Sequence, residues 1–107
     1  MGVFSAVLVY SSTGDGEGYV PLYEESVVLL VAETEEAARE RAWERGRARQ
    51  VSYHNELGEL ISWRLLHVVD VSEVTDELAD GAEVHSRHFR NYAAYRSFEP
   101  LLSGEEL

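Results

Sequence analysis

The chain is 107 residues long, 45% hydrophobic, and carries a formal net charge of -11. That length makes one domain with one modest core. The acidic field repels nucleic-acid phosphates and anionic membrane surfaces, so the expected partner is another protein, and a basic one where charge steers the encounter.

There is no cysteine and no lysine; all nine basic residues are arginine. Disulfides, thiol nucleophiles, cysteine-held metals, Schiff-base chemistry and the lysine of a phosphate-binding loop are therefore excluded. Arginine without lysine is the residue usage of a GC-rich bacterial genome. The longest apolar run, residues 27–32, is far short of the roughly 20 residues a membrane span needs. No basic segment precedes an apolar core at the N-terminus, so the expected compartment is the cytoplasm.

Residues 3–11 are rich in β-branched and aromatic side chains and predict a strand buried on both faces. Residues 12–21 contain Gly14, Gly16 and Gly18 and predict a polar loop. Residues 23–33 predict a second strand, and the continuous apolar run at its centre suits a central position in a sheet. Thr34 then caps a helix expected to reach Arg49, with Glu35 and Glu36 at its positive end and Arg45, Arg47 and Arg49 at its negative end.

Residues 50–55 and 60–74 predict a β-hairpin around the turn 56–59. Strict alternation along the second arm puts Ile61, Trp63, Leu65, His67, Val69 and Val71 on the core face. An acidic connection over residues 75–82 leads to a short polar edge strand expected at 83–90. Asn91 caps a last helix carrying Tyr92, Tyr95, Phe98 and Leu102. Pro100 is expected to end it, ahead of a frayed tail.

The element order β-β-α-β-β-β predicts an α+β fold. An antiparallel sheet of about five strands, covered on one face by one long helix, occupies residues 1–90, and residues 91–107 form a short C-terminal helical extension of the same domain.

No catalytic constellation stands out, and neither a metal nor a cofactor is expected. His85 and His88 on a regular strand point to opposite faces and cannot share an ion. The acidic run 76–83 lacks the spacing of a calcium-binding loop and reads as a solvated turn. Gly14-Asp15-Gly16-Glu17-Gly18 precedes a strand and carries two carboxylates that repel phosphate, so it reads as a hairpin loop.

Trp43 is expected to project from the helix flank near Arg39 and Gly46, because Ala38 and Ala42 form the seam against the sheet. It is a candidate interface anchor. Tyr92, Tyr95 and Phe98 are candidates of the same kind, packing either on the uncovered sheet face or between two chains. Glu36, Glu40 and Glu44 lie on one helix stripe and would steer a basic partner. An alternative polar pocket comprises Tyr53, Asn55, Trp63, Glu83 and Arg87.

Three segments bear a family resemblance. The first is Pro21-Leu22-Tyr23-Glu24-Glu25-Ser26-Val27-Val28-Leu29-Leu30-Val31-Ala32-Glu33. The second is Val51-Ser52-Tyr53-His54-Asn55, followed by Gly58-Glu59 and Trp63. The third is Asp80-Gly81-Ala82-Glu83-Val84-His85-Ser86-Arg87. Their order and spacing resemble the bacterial domain-of-unknown-function family numbered 4288, over residues 3–89. The resemblance implies the element order and a bacterial source, and carries no activity, cofactor or catalytic residue. His85 stands where a member often carries tyrosine. Residues 91–107 extend beyond the shared region.

The functional expectation is a non-catalytic acidic interaction module that binds another protein or a second copy of itself as a homodimer. Its sharper form is an immunity or inhibitor protein masking the basic active site of a nuclease-type toxin. The alternative, from a different class, is a small enzyme or small-molecule-binding domain using the Tyr/Trp/Glu/Arg pocket.

Overall fold

A computed structural model describes residues 1–99. The β-branched and apolar residues of the first third build two long strands, β1 (Gly2–Gly14) and β2 (Tyr23–Ala32). The Ala- and Glu-rich segment that follows forms α1 (Glu35–Ala48). A hairpin of β3 (Val51–His54) and β4 (Leu60–Glu73) comes next, and α2 (Tyr92–Phe98) closes the described chain. The four strands pair antiparallel in the order β2-β1-β4-β3. The fold is α+β, with α1 covering one sheet face. The expected end of the last helix at Pro100, the position of Leu102 and the frayed tail lie outside the described residues.

β1 is central and meets the expectation of burial on both faces. Phe4, Ala6, Leu8 and Tyr10 turn toward α1, while Ser5 and Val7 are buried on the opposite face. It also runs to Gly14, beyond the expected end, because Ser12, Thr13 and Gly14 still pair with Trp63, Ser62 and Ile61 of β4. β2 departs from expectation. Its sequence suits a central strand, yet it sits at an edge, and Val27, Leu29 and Val31 stay exposed on the face away from α1.

α1 forms where its cap dictates. The Thr34 hydroxyl accepts the Ala37 N–H at 3.0 Å, satisfying one of the helix's otherwise orphaned donors. Its buried face is the small-residue seam Ala38, Ala42 and Gly46. Both alanines are fully buried against the sheet, and the Tyr10 hydroxyl donates to the Gly46 carbonyl at 3.0 Å. The β3–β4 turn is built by Asn55. Its side-chain oxygen accepts from Leu57 and Glu59 N–H, and Gly58 takes the left-handed conformation (φ 78°) that glycine adopts without strain.

Two irregularities correct the expected face of β4. Val7 pairs with Asp70 but Leu8 with Val68, and Val9 pairs with His67 but Tyr10 with Leu65. One extra residue therefore sits at Val69 and another at Leu66, as β-bulges. Val71, Val68, Leu65 and Trp63 reach the helix side, which strict alternation forbids for Val68. His67, expected in the core, lies opposite Val9 on the outer face and is exposed. The expected strand at 83–90 is irregular chain. Its charged residues offer no apolar alternation, and its side chains meet the outer sheet face and the C-terminal rings instead of a ladder.

The seam leaves no room for a larger residue. Ala42→Leu is expected to lower stability by about 1–3 kcal/mol through overpacking, read from urea denaturation. Burial raises the Tyr10 hydroxyl above its ordinary pKa; nearby Arg49 pulls it back and Glu24 adds to the rise. A raised pKa favours the neutral phenol in the folded state, so its contribution is complete below the unfolded value near ~10. That contribution fades as pH climbs through the folded pKa. The stability gap between wild type and Tyr10→Phe is expected to shrink above pH ~10 relative to pH ~8, measured by urea denaturation at both.

Candidate functional site

Among the described residues, the outer face of the sheet, away from α1, receives no helix in close packing. The backbone of α2 comes within 8 Å, Cα to Cα, of no strand and not of α1. Ring contacts hold it to the preceding chain. Phe89 stacks on Tyr95 with centroids 4.8 Å apart, and Tyr95 faces Tyr92 at 6.5 Å. The Arg87 guanidinium lies over Phe89 at 5.7 Å. The Asn91 side chain caps α2 by accepting the Ala94 N–H at 3.0 Å, as the sequence predicts.

Between α2, residues 85–89 and the sheet lies a cleft of about 290 Å³. Val7, Val27 and Val69 form its floor, and Phe89, Tyr95 and Phe98 form its walls. Glu25, Asp70, His85 and Arg87 line it as well. His85 is half-buried, and its Nδ1 atom is shut away from solvent with no hydrogen-bond partner among the described residues. A sealed ring nitrogen without a partner carries a desolvation penalty that a purely structural site usually avoids. His88 is exposed, and among the described residues no three His, Asp or Glu side chains gather as metal ligands.

The alternative pocket assembles only in part. Trp63 Nε1 donates to the Tyr53 hydroxyl at 3.2 Å, and both line a hollow of about 240 Å³ at the end of α1 with Tyr10, Glu24, Arg49 and Val51. Asn55 is engaged in its turn, where its Nδ2 donates to Glu59 at 2.9 Å. The Glu83 N–H donates to the Asp76 carboxylate at 2.9 Å, which makes the acidic run a self-closed turn. Arg87 lies on the opposite sheet face, in the outer cleft. The five residues thus divide between two faces and two loops.

Trp43 is half-buried at the α1 flank, with the Arg47 guanidinium over its ring at 5.1 Å in place of the expected Arg39. Glu36, Glu40 and Glu44 are all exposed. Tyr92 and Phe98 are 59% and 69% exposed, and Tyr95 is half-buried between its neighbours. Two features were not read from the sequence. The placing of Asp70 and Glu25 in one cleft with His85 depends on a chain crossing that no local pattern encodes. The stripe Arg41, Arg45 and Arg49 was legible as an i, i+4, i+8 repeat, and helix-end electrostatics accounted for only part of it.

The family model described as Domain of unknown function (DUF4288) matches residues 3–86 of this chain. No curated protein and no solved structure matches it. Among the described residues no helix is long and apolar enough to cross a membrane.

His85→Leu removes the unpartnered nitrogen and retains apolar volume. It is expected to raise stability by on the order of 1 kcal/mol, read as a higher melting temperature. A loss of comparable size would mean that the imidazole is satisfied in solution.

Proposed function

The chain belongs to the family described as Domain of unknown function (DUF4288), and we propose that this member is a non-catalytic interaction module, a bacterial cytoplasmic protein that binds another protein or a second copy of itself. The observation that carries this reading is the one-sided core. α1 closes one sheet face, while Phe98, Phe89 and Val27 remain exposed around the outer cleft and Tyr92 is exposed on α2. Monomeric soluble proteins rarely leave contiguous apolar patches larger than a few hundred Å² without a use for them. Large rings presented on a short helix supply contact area with few rotatable bonds.

Charge supports the same reading. Glu36, Glu40 and Glu44 form an exposed ridge on the solvent side of α1. Such a ridge steers a basic surface toward the protein at low ionic strength. An inhibitor or immunity protein that covers a basic nuclease-type toxin is the sharper form of this proposal.

A second reading, a small-molecule-binding domain, is favoured by the sealed Nδ1 of His85 beside Asp70, Glu25 and Arg87 in the outer cleft. Nuclear magnetic resonance titration with small zwitterionic ligands tests it. Concerted shifts at His85, Asp70 and Arg87 are the expected signature.

For the interaction module, the decisive comparison is the paired change Tyr92→Ser with Phe98→Ser. Both side chains are exposed, so stability is expected to change by no more than about 0.5 kcal/mol. Light scattering coupled to size-exclusion chromatography is expected to show concentration-dependent association in the wild type and its loss in the variant. Undiminished association in the variant, or a wild type monomeric at every concentration with unaltered binding of hydrophobic dye by the variant, defeats the aromatic-patch reading.

A further inference from the structure

β2 has the sequence of an interior strand and the position of an edge strand. Val3 and Val31 face each other in the register, and the Val3 carbonyl is taken by the Val74 N–H on the β4 side. The Val31 backbone groups therefore point away from β1. By the alternation of an antiparallel ladder, those of Val27 and Leu29 do the same. Among the described residues the outward groups of Val27 and Leu29 have no hydrogen-bond partner. Their side chains stay exposed on the outer face, with 47% of each accessible.

On the helix side of this edge runs a groove of about 810 Å³ lined by Val28, Leu30, Arg41, Arg45 and Arg49. The three arginines are spaced i, i+4, i+8 and form one stripe along α1. Arg41 donates to the Val31 carbonyl. Among the described residues none of the three is in an ion pair, in a chain with 20 carboxylates. The negative ridge of Glu36, Glu40 and Glu44 lies about 140° around the helix axis from this stripe.

We propose that the free edge of β2 and the arginine groove together dock an extended segment of a partner protein by strand addition, and that this segment alternates acidic and apolar residues. Backbone groups of Val27 and Leu29 supply the ladder. Alternate side chains of the added strand fall on opposite faces. One set meets Arg41, Arg45 and Arg49 and is acidic; the other extends the row Val27, Leu29, Val31 and is apolar. At physiological salt the screening length is about 8 Å, so the arginines lining the groove outweigh the more distant negative field of the chain.

A second copy of the chain is the poorer occupant. Two-fold pairing of β2 with itself presents mainly Val28 and Leu30, with Glu24 the one carboxylate of that face, to the arginines, and brings two arginine stripes together. The proposal rests on the interaction-module reading for the class of partner and uses a different surface, so the two fail separately.

The test is fluorescence anisotropy on the full chain with a labelled short peptide of alternating Glu and Val, and with its Lys–Val counterpart. The Glu–Val peptide is expected to bind, with affinity falling as salt rises, and the Lys–Val peptide is not. The double change Arg45→Glu with Arg49→Glu is expected to weaken binding at least about tenfold. Leu29→Pro removes only an outward N–H, a position where an edge strand tolerates proline, and is expected to weaken binding by a similar factor of roughly ten. If Leu29→Pro melts the fold, protection of the Val27 and Leu29 amides from hydrogen exchange on peptide addition replaces it. Equal binding of both peptides, or indifference to the arginine change and to the edge change or amide readout, overturns the proposal. Dimerisation abolished by Leu29→Pro but insensitive to the arginine change assigns the edge to a second copy and overturns it as well. Peptide binding lost while association through Tyr92 and Phe98 persists sinks only this inference.

Discussion

The approach of α1 to the sheet rests on three small residues. Ala38, Ala42 and Gly46 bring the helix backbone close enough for the Tyr10 hydroxyl to reach the Gly46 carbonyl. A helix this close needs only a thin layer of side chains beneath it, and Phe4, Ala6, Leu8, Leu30 and Val71 provide that layer. The bulges of β4 serve the same packing. The two extra residues reset which side chains face the helix, so Val68 joins Val71, Leu65 and Trp63 there although regular alternation would turn it to the opposite face. All of this interior lies on one side of the sheet. The opposite side receives an irregular crossing and a helix that stands clear of the strands.

That asymmetry separates what the sequence reveals from what it hides. The cap at Thr34, the alanine seam, the hairpin around Asn55 and Gly58, and the cap at Asn91 each depend on chemistry within a few residues, and all were legible. The exchange of faces along β4 was not, because bulges answer to the partner strand and leave little local trace. Residues 83–90 look like a strand only when judged alone. Their neighbours in space are the outer sheet face and the rings of α2, and a register with those surfaces is a tertiary matter.

The sites follow the same division. Tyr53 and Trp63 share a hairpin and meet as diagonal neighbours of one ladder can, whereas Arg87 and Glu83 were grouped with them on motif order alone. Trp43 was expected at a helix flank and is there, since helical geometry fixes direction without reference to the rest of the chain. The outer cleft unites Asp70 from β4, Glu25 from β2 and His85 from an unpaired segment. No local spacing rule anticipates such a meeting.

The hydrogen bond from Arg41 to the Val31 carbonyl has a bearing on solubility. A long apolar border strand is the usual starting point for runaway stacking of identical molecules into fibres. Here the last rung of that border is plugged by a bulky cation, and identical cations wait one and two turns further along the helix. Copies of the protein are thereby discouraged from polymerising on one another. A neutral residue at that position would free the Val31 rung as well, beside those of Val27 and Leu29.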